Sequence, residues 1–150
     1  MSSLVSLQVP VEYGYVLGAA TAACFVNAYH GILTGAARRA AKVPYPVAYA
    51  TAEAAEKDPA VFKFNCAQKV HSNFTENFSP FIVELLISGL RFPLASAALG
   101  AGWVVSRILF ARGYVNSGPT GRHIGAPHAL FDFVLKFMSG YTAYTFLCPQ

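Results

Sequence analysis

FNCAQKVHSNFTENFSPF, residues 64–81, carries a dense run of polar and ionisable side chains straight into the apolar segment IVELLISGL, residues 82–90. Lys69, Asn73 and Glu76 recur at i, i+4 and i+7, which on a helix sets them along one stripe, with Gln68, Ser72 and Ser79 beside it. A cation, a carboxamide and a carboxylate entering a membrane are costly unless they pair with one another or hold a polar ligand. The stripe therefore reads as functional.

Composition sets the class. Of 150 residues, 55% are hydrophobic and only 12% charged, and mean hydropathy is +0.42. This is a single domain, residues 1–150, of membrane composition. The formal charge of +4 follows from membrane topology, not from nucleic acid, because no basic patch interleaved with aromatics is present. Cys24, Cys66 and Cys148 are far apart and lack CxxC spacing, which indicates neither a disulfide framework nor a zinc site. His30, His71, His123 and His128 have no neighbouring carboxylate or thiolate cluster, so they read as structural or interfacial, and no metal is expected.

Four membrane-spanning helices are predicted, over residues 12–37, 71–90, 94–114 and 129–147, with cytosolic loops at 38–70 and 115–128. The first has the length of a retained signal-anchor helix and ends at Arg38, Arg39 and Lys42. Residues 43–63 contain Pro44, Pro46 and Pro59 and read as a connector with a short surface helix. In the third span Ala95–Ala98 and Gly100–Gly102 are small, which allows a neighbouring helix to approach closely. Pro80 removes the amide that would bond the Glu76 carbonyl, so a kink is expected there. Basic residues gather in the first-to-second and third-to-fourth connections, which places both in the cytosol.

The third span also presents Arg107, Phe110 and Tyr114 on one face. A guanidinium inside WVVSRILF (103–110) cannot shed its proton and wants an anion, supplied either by a ligand or by Glu76 or Glu84. Glu84 is read as a structural partner for a Lys or Arg of a neighbouring helix, and Asp132 with Lys136 as an i, i+4 pair. Together, Arg38, Arg39, Lys69, Arg107 and Arg122 as cations, Glu76 as an anion, and Gln68, His71, Asn73 and Tyr114 as hydrogen bonders suit a small zwitterionic ligand with more than one carboxylate. Glutathione has that chemistry, and its thiol, near pKa 8.5, needs a cation to become a thiolate.

With ARRAAKVPYP (37–46), FNCAQKVHSNFTENFSPF (64–81) and RILFARGYVNSGPTGR (107–122) in order, the chain resembles the MAPEG superfamily, and within it the microsomal glutathione transferase 3 type. The resemblance covers roughly residues 12–147. It implies an all-α integral membrane protein, a MAPEG-type bundle of four transmembrane helices that assembles as a homotrimer and binds glutathione between subunits near the cytosolic face. It implies that Arg38, Lys69, His71, Asn73, Glu76, Arg107 and Tyr114 bind glutathione, and that Arg122, or Arg39 in its place, stabilises the thiolate. Glutathione is then a co-substrate, and the second substrate is a lipophilic electrophile or lipid hydroperoxide arriving from the bilayer.

The implied activity is that of a glutathione transferase or peroxidase in the endoplasmic reticulum membrane, with the outer mitochondrial membrane as the other location. The alternative is a non-catalytic, lipid-presenting scaffold of the lipoxygenase-activating kind; a full set of tripeptide ligands favours the enzyme. Three positions depart from the family pattern: Lys69 stands where Arg is usual, Phe110 where Tyr is common, and Asn77 where leukotriene-C synthases carry Tyr. A point-charge ammonium cannot copy a bidentate guanidinium, and one missing hydroxyl bond costs about 1 kcal/mol.

Topology gives the first prediction. The sequons Asn73-Phe-Thr75 and Asn77-Phe-Ser79 lie at the cytosolic end of a helix and stay unmodified in cells. A glycosidase-sensitive mass shift lost in Asn73→Gln or Asn77→Gln would reverse the orientation.

Overall fold

The computed structural model describes residues 8–148, and no strand occurs among the described residues. Four long helices, α1 (Tyr13–Ala40), α3 (Pro59–Gly89), α4 (Pro93–Ser117) and α5 (Pro127–Leu147), are accompanied by the short α2 (Ala52–Lys57) and a 3-10 segment, Gly118–Gly125. Helix α3 packs on α1, α4 and α5 in turn, α1 also packs on α4, and α4 on α5. The helix α1 and the segment Pro93–Gly125 are each long and apolar enough to cross a membrane. The two ends of the expected 1–150 domain, residues 1–7 and 149–150, lie outside the described residues.

Helix bounds follow the predicted spans closely, except at α3. The expected 38–70 loop is helical from Pro59, twelve residues ahead of the span predicted to begin at His71. Hydropathy marks where a helix enters apolar surroundings, not where it starts. The start is set locally, by the Asp58 side chain accepting from the Ala60 amide at 2.8 Å and by Pro59, whose missing N–H costs nothing at a first helical position. Val61, Phe64, Ala67 and Val70 then recur on one face and are all buried. With 31 residues the helix is about 46 Å long, more than a bilayer core requires. It continues through Pro80. The expected 115–128 loop is likewise taken up by the end of α4, the 3-10 segment and the first residues of α5.

The core runs through the centre of the four long helices. Phe81 and Trp103 stack with ring centroids 3.8 Å apart and planes 8° from parallel, and Val16, Ala23, Leu85 and Leu135 close around them. Small residues of α4 serve this packing as expected: a Cβ at Gly100 would press on Ala19 and Leu85, and one at Gly102 on Phe131. Ala95, Ala98 and Ala101 of the same stretch instead face outward.

A charged layer joins α3 to α5. Lys136 lies 3.3 Å from Glu84 and 2.9 Å from Asp132, so the neighbouring-helix partner read for Glu84 is Lys136. Lys136 therefore serves the i, i+4 pair and the interhelical pair at once.

The chain reverses at Gly118, where φ is +66°, and the 3-10 segment folds back onto α4. A Cβ at Gly113 or Gly121 would run into the backbone of the other, and one at Gly125 into Phe110 and the Ser106 carbonyl. Gly121→Ala therefore destabilises the protein by about 1–3 kcal/mol through overpacking. Gly140→Ala, where a Cβ meets nothing within 4 Å, leaves the unfolding midpoint unchanged or raises it. Thermal unfolding of the detergent-solubilised protein checks both.

Candidate functional site

The first half of α3 is held from outside by a folded-back connector. Helix α1 ends in a turn in which Val43 N–H donates to the Arg38 carbonyl and Lys42 N–H to the Arg39 carbonyl, both at 3.2 Å, with Lys42 at φ +53°. This is a Schellman-type end with lysine where glycine is usual. It returns residues 44–47 over Arg38, whose Nη1 donates to the Val47 carbonyl at 2.6 Å and the Pro44 carbonyl at 3.4 Å. The guanidinium is also sandwiched between Tyr45, 4.4 Å from the ring centre, and Phe64, at 4.6 Å. Farther along, Asn65 exchanges two 3.0 Å bonds with the backbone of Ala50, and the Tyr49 hydroxyl lies 3.3 Å from that of Ser72.

This frame borders an open cleft of about 560 Å³ lined by Tyr49, Glu56, Phe62, Cys66, Lys69, Tyr114 and Pro119 among others. Lys69 and Tyr114 thus share one cleft. Cys66 is buried in its wall, and burial pushes its thiol up, away from the thiolate. On the adjoining side of α3, His71 and Glu76 border a shallower groove with Gln68, Ser72 and Thr75.

Asn73, on the same helix, is half-buried. Its Oδ1 accepts from Arg107 Nη1 at 2.9 Å, and the same nitrogen lies 3.3 Å from His128 Nε2. Arg107 has none of its surface exposed and sits over the rings of Phe110, Phe74 and Trp103 at 4.9, 5.4 and 5.6 Å. The protein anion considered for it, Glu76 or Glu84, forms no ion pair with it among the described residues. Arg39, at the end of α1, and Arg122, in the 3-10 segment, are both exposed.

The residues expected to form one site are therefore distributed. Lys69 with Tyr114, Asn73 with Arg107, and His71 with Glu76 are brought together as pairs along α3. Arg38 is engaged with its own chain's carbonyls, and Arg39 and Arg122 stand at the periphery with their charges in the open. Sequence reading took His128 as structural or interfacial but did not pair it with Arg107, which it contacts from the start of α5. No periodicity links two residues 21 apart on different helices, so no local signal could have found it.

Two helical segments long and apolar enough to cross a membrane, packed with a polar-striped α3, have the pattern of a helical membrane protein. A model of the MAPEG family matches residues 16–141, most of the chain. The chain belongs to the MAPEG family, membrane proteins that include glutathione transferases as well as members without catalysis.

The two adjacent arginines of α1 separate by their contacts. Arg38→Ala removes a charged donor to two carbonyls and a double ring sandwich, and lowers stability by about 2 kcal/mol. Arg39→Ala leaves the unfolding midpoint within about 1 °C of wild type, as is usual for an exposed surface substitution. Paired thermal melts measure the difference.

Proposed function

We propose that this protein is a membrane-bound glutathione transferase, with glutathione peroxidase activity when the second substrate is a lipid hydroperoxide, of the microsomal glutathione transferase 3 type. The observation that carries the reading is the exposed stripe of α3. Lys69 and Glu76 are both exposed, neither is in an ion pair among the described residues, and Asn73 lies between them. Seven residues of helix separate the cation from the carboxylate by about 10 Å, roughly the reach of an extended tripeptide. In this reading Lys69 meets a carboxylate and Glu76 the amine, while His71 and Tyr114 add hydrogen bonds from either side. Family membership supports the same chemistry.

The site is completed between subunits of a homotrimer of four-span protomers in the endoplasmic reticulum membrane. Arg122 or Arg39, being free of internal partners among the described residues, turns its guanidinium to the thiol. Lowering a thiol pKa by about two corresponds to about 2.7 kcal/mol of preference for the thiolate, within the means of one partly desolvated arginine. The thiolate sulfur then attacks the electrophilic carbon of a lipophilic substrate and displaces its leaving group. With a hydroperoxide it attacks the terminal oxygen and breaks the O–O bond, so that the alkoxide leaves and takes a proton to become the alcohol; the thiol of a second glutathione then attacks the sulfur of the resulting sulfenic acid, giving the disulfide and water.

Purified protein incubated with glutathione and either an activated aryl halide or a fatty-acid hydroperoxide turns over at least one of them. Absence of both turnover and glutathione binding overturns the reading. In Arg122→Ala, glutathione still binds but the thiolate ultraviolet absorbance disappears. An unchanged thiolate band assigns that role to Arg39.

A further inference from the structure

The structure assigns to His128 a positioning role: through Arg107 it fixes the carboxamide of Asn73 with its oxygen inward and its NH2 group outward, so this point of the α3 stripe recognises a hydrogen-bond acceptor, a carboxylate or carbonyl, and not an amine. The inference rests on the glutathione reading above only for the identity of the ligand. The orientation itself follows from donor and acceptor inventories.

Arginine has five N–H donors and no acceptor. Whichever atom of Asn73 lies 2.9 Å from Arg107 Nη1 must therefore be its oxygen. The nitrogen that remains, Nδ2, makes no hydrogen bond among the described residues, and it is not among the buried polar atoms left without one. It stands at the open side of a half-buried residue.

What keeps the guanidinium in place is the imidazole. His128 Nδ1 lies 2.7 Å from the Gly125 carbonyl, an acceptor only, so the ring's proton is on Nδ1. Nε2 then carries the lone pair and accepts from Arg107 Nη1 at 3.3 Å. The tautomer is thus set by the backbone of the 3-10 segment, and the chain of bonds runs Gly125 carbonyl, His128, Arg107, Asn73. Each link has one permitted direction. Phe110 meets the imidazole edge-on at a centroid distance of 5.7 Å and closes the remaining side.

Arg107 has no exposed surface, and its Nε and Nη2 have no partner among the described residues. Its influence on a ligand passes through Asn73. His128 and Arg107 are positioning residues, and Asn73 makes the contact. An outward NH2 group between Lys69 and Glu76 fits the middle of a tripeptide lying along the stripe, where peptide carbonyls and a carboxylate are acceptors.

The test combines affinity with a ligand-free readout. Glutathione binding is measured by calorimetry in detergent on wild type, His128→Leu, His128→Gln and Asn73→Asp. His128→Leu, which removes the acceptor, weakens binding by about tenfold. His128→Gln, whose side-chain carbonyl can accept from Arg107, stays within about threefold of wild type. Asn73→Asp keeps and strengthens the bond to Arg107, so its fold is secure, yet it replaces the outward donor with a carboxylate oxygen. It weakens glutathione binding by more than about tenfold, and esterifying the ligand's carboxylates recovers part of the loss.

Wild-type affinity in His128→Leu or in Asn73→Asp overturns the inference. So does equal weakening by Leu and Gln at position 128, the signature of a packing role alone. Independently of any ligand, the two side-chain amide proton resonances of Asn73 move in His128→Leu and not in His128→Gln. Resonances unmoved in both variants overturn the positioning role of His128 even if glutathione proves not to bind, whereas a failure of wild type to bind glutathione with the resonances behaving as expected overturns only the ligand assignment.

Discussion

A guanidinium with none of its surface exposed, in the middle of an apolar helix, constrains everything around it. Arg107 cannot be neutralised by losing a proton, and a buried charge without partners is among the most costly features a fold can contain. The surroundings answer with two acceptors, Asn73 from α3 and His128 from α5, and with the faces of Phe74, Trp103 and Phe110. Three helices are thereby tied at one level. The aromatic stack of Phe81 on Trp103 continues directly from it, so the charged centre and the apolar core are one structure.

A second tie fixes the remaining freedom. Glu84 lies eleven residues beyond Asn73 on α3, about 16 Å along the axis, and meets Lys136 of α5. Two separated polar contacts on one helix determine its rotation and its register, which apolar packing among small and branched side chains leaves loosely set. Neither contact is needed to make the helices apolar enough, and their stabilising value is modest. Their consequence is that the stripe of Lys69, Asn73 and Glu76 cannot rotate into the core. Specification of α3 and exposure of its polar face have the same cause.

Much of this was legible in the sequence because the physics involved is local or periodic. Apolar length marked α1 and the segment from Pro93 as able to cross a membrane, and the i, i+4, i+7 spacing put Lys69, Asn73 and Glu76 on one face. The start of α3 was not legible from hydropathy, because its first turns are amphipathic and are set by Asp58 and Pro59. Arg38 and Arg39 are indistinguishable as neighbours in a basic cluster. They part only because Lys42 takes a left-handed conformation and brings Pro44 and Val47 back over one of them. His128 was legible as a structural or interfacial histidine, but its partner was not, because the contact depends on a tautomer chosen by a carbonyl three residues earlier and on a guanidinium from another helix.

The 3-10 segment shows how the same fold treats a residue that must be placed without being enclosed. Gly113 and Gly121 approach so closely that neither has room for a Cβ, and Gly125 fits against Phe110 in the same way. Arg122 follows Gly121 in that seam, so its backbone is held between two glycine contacts while its side chain remains exposed. Arg107 is the opposite case, a charge enclosed on every side whose effect is transmitted through a neutral amide. A fixed backbone beneath an open guanidinium leaves the side chain's own torsions as the main freedom, which suits the proposed role of a charge that meets the thiol of glutathione. The closed one suits a charge whose task is to keep a carboxamide facing one way.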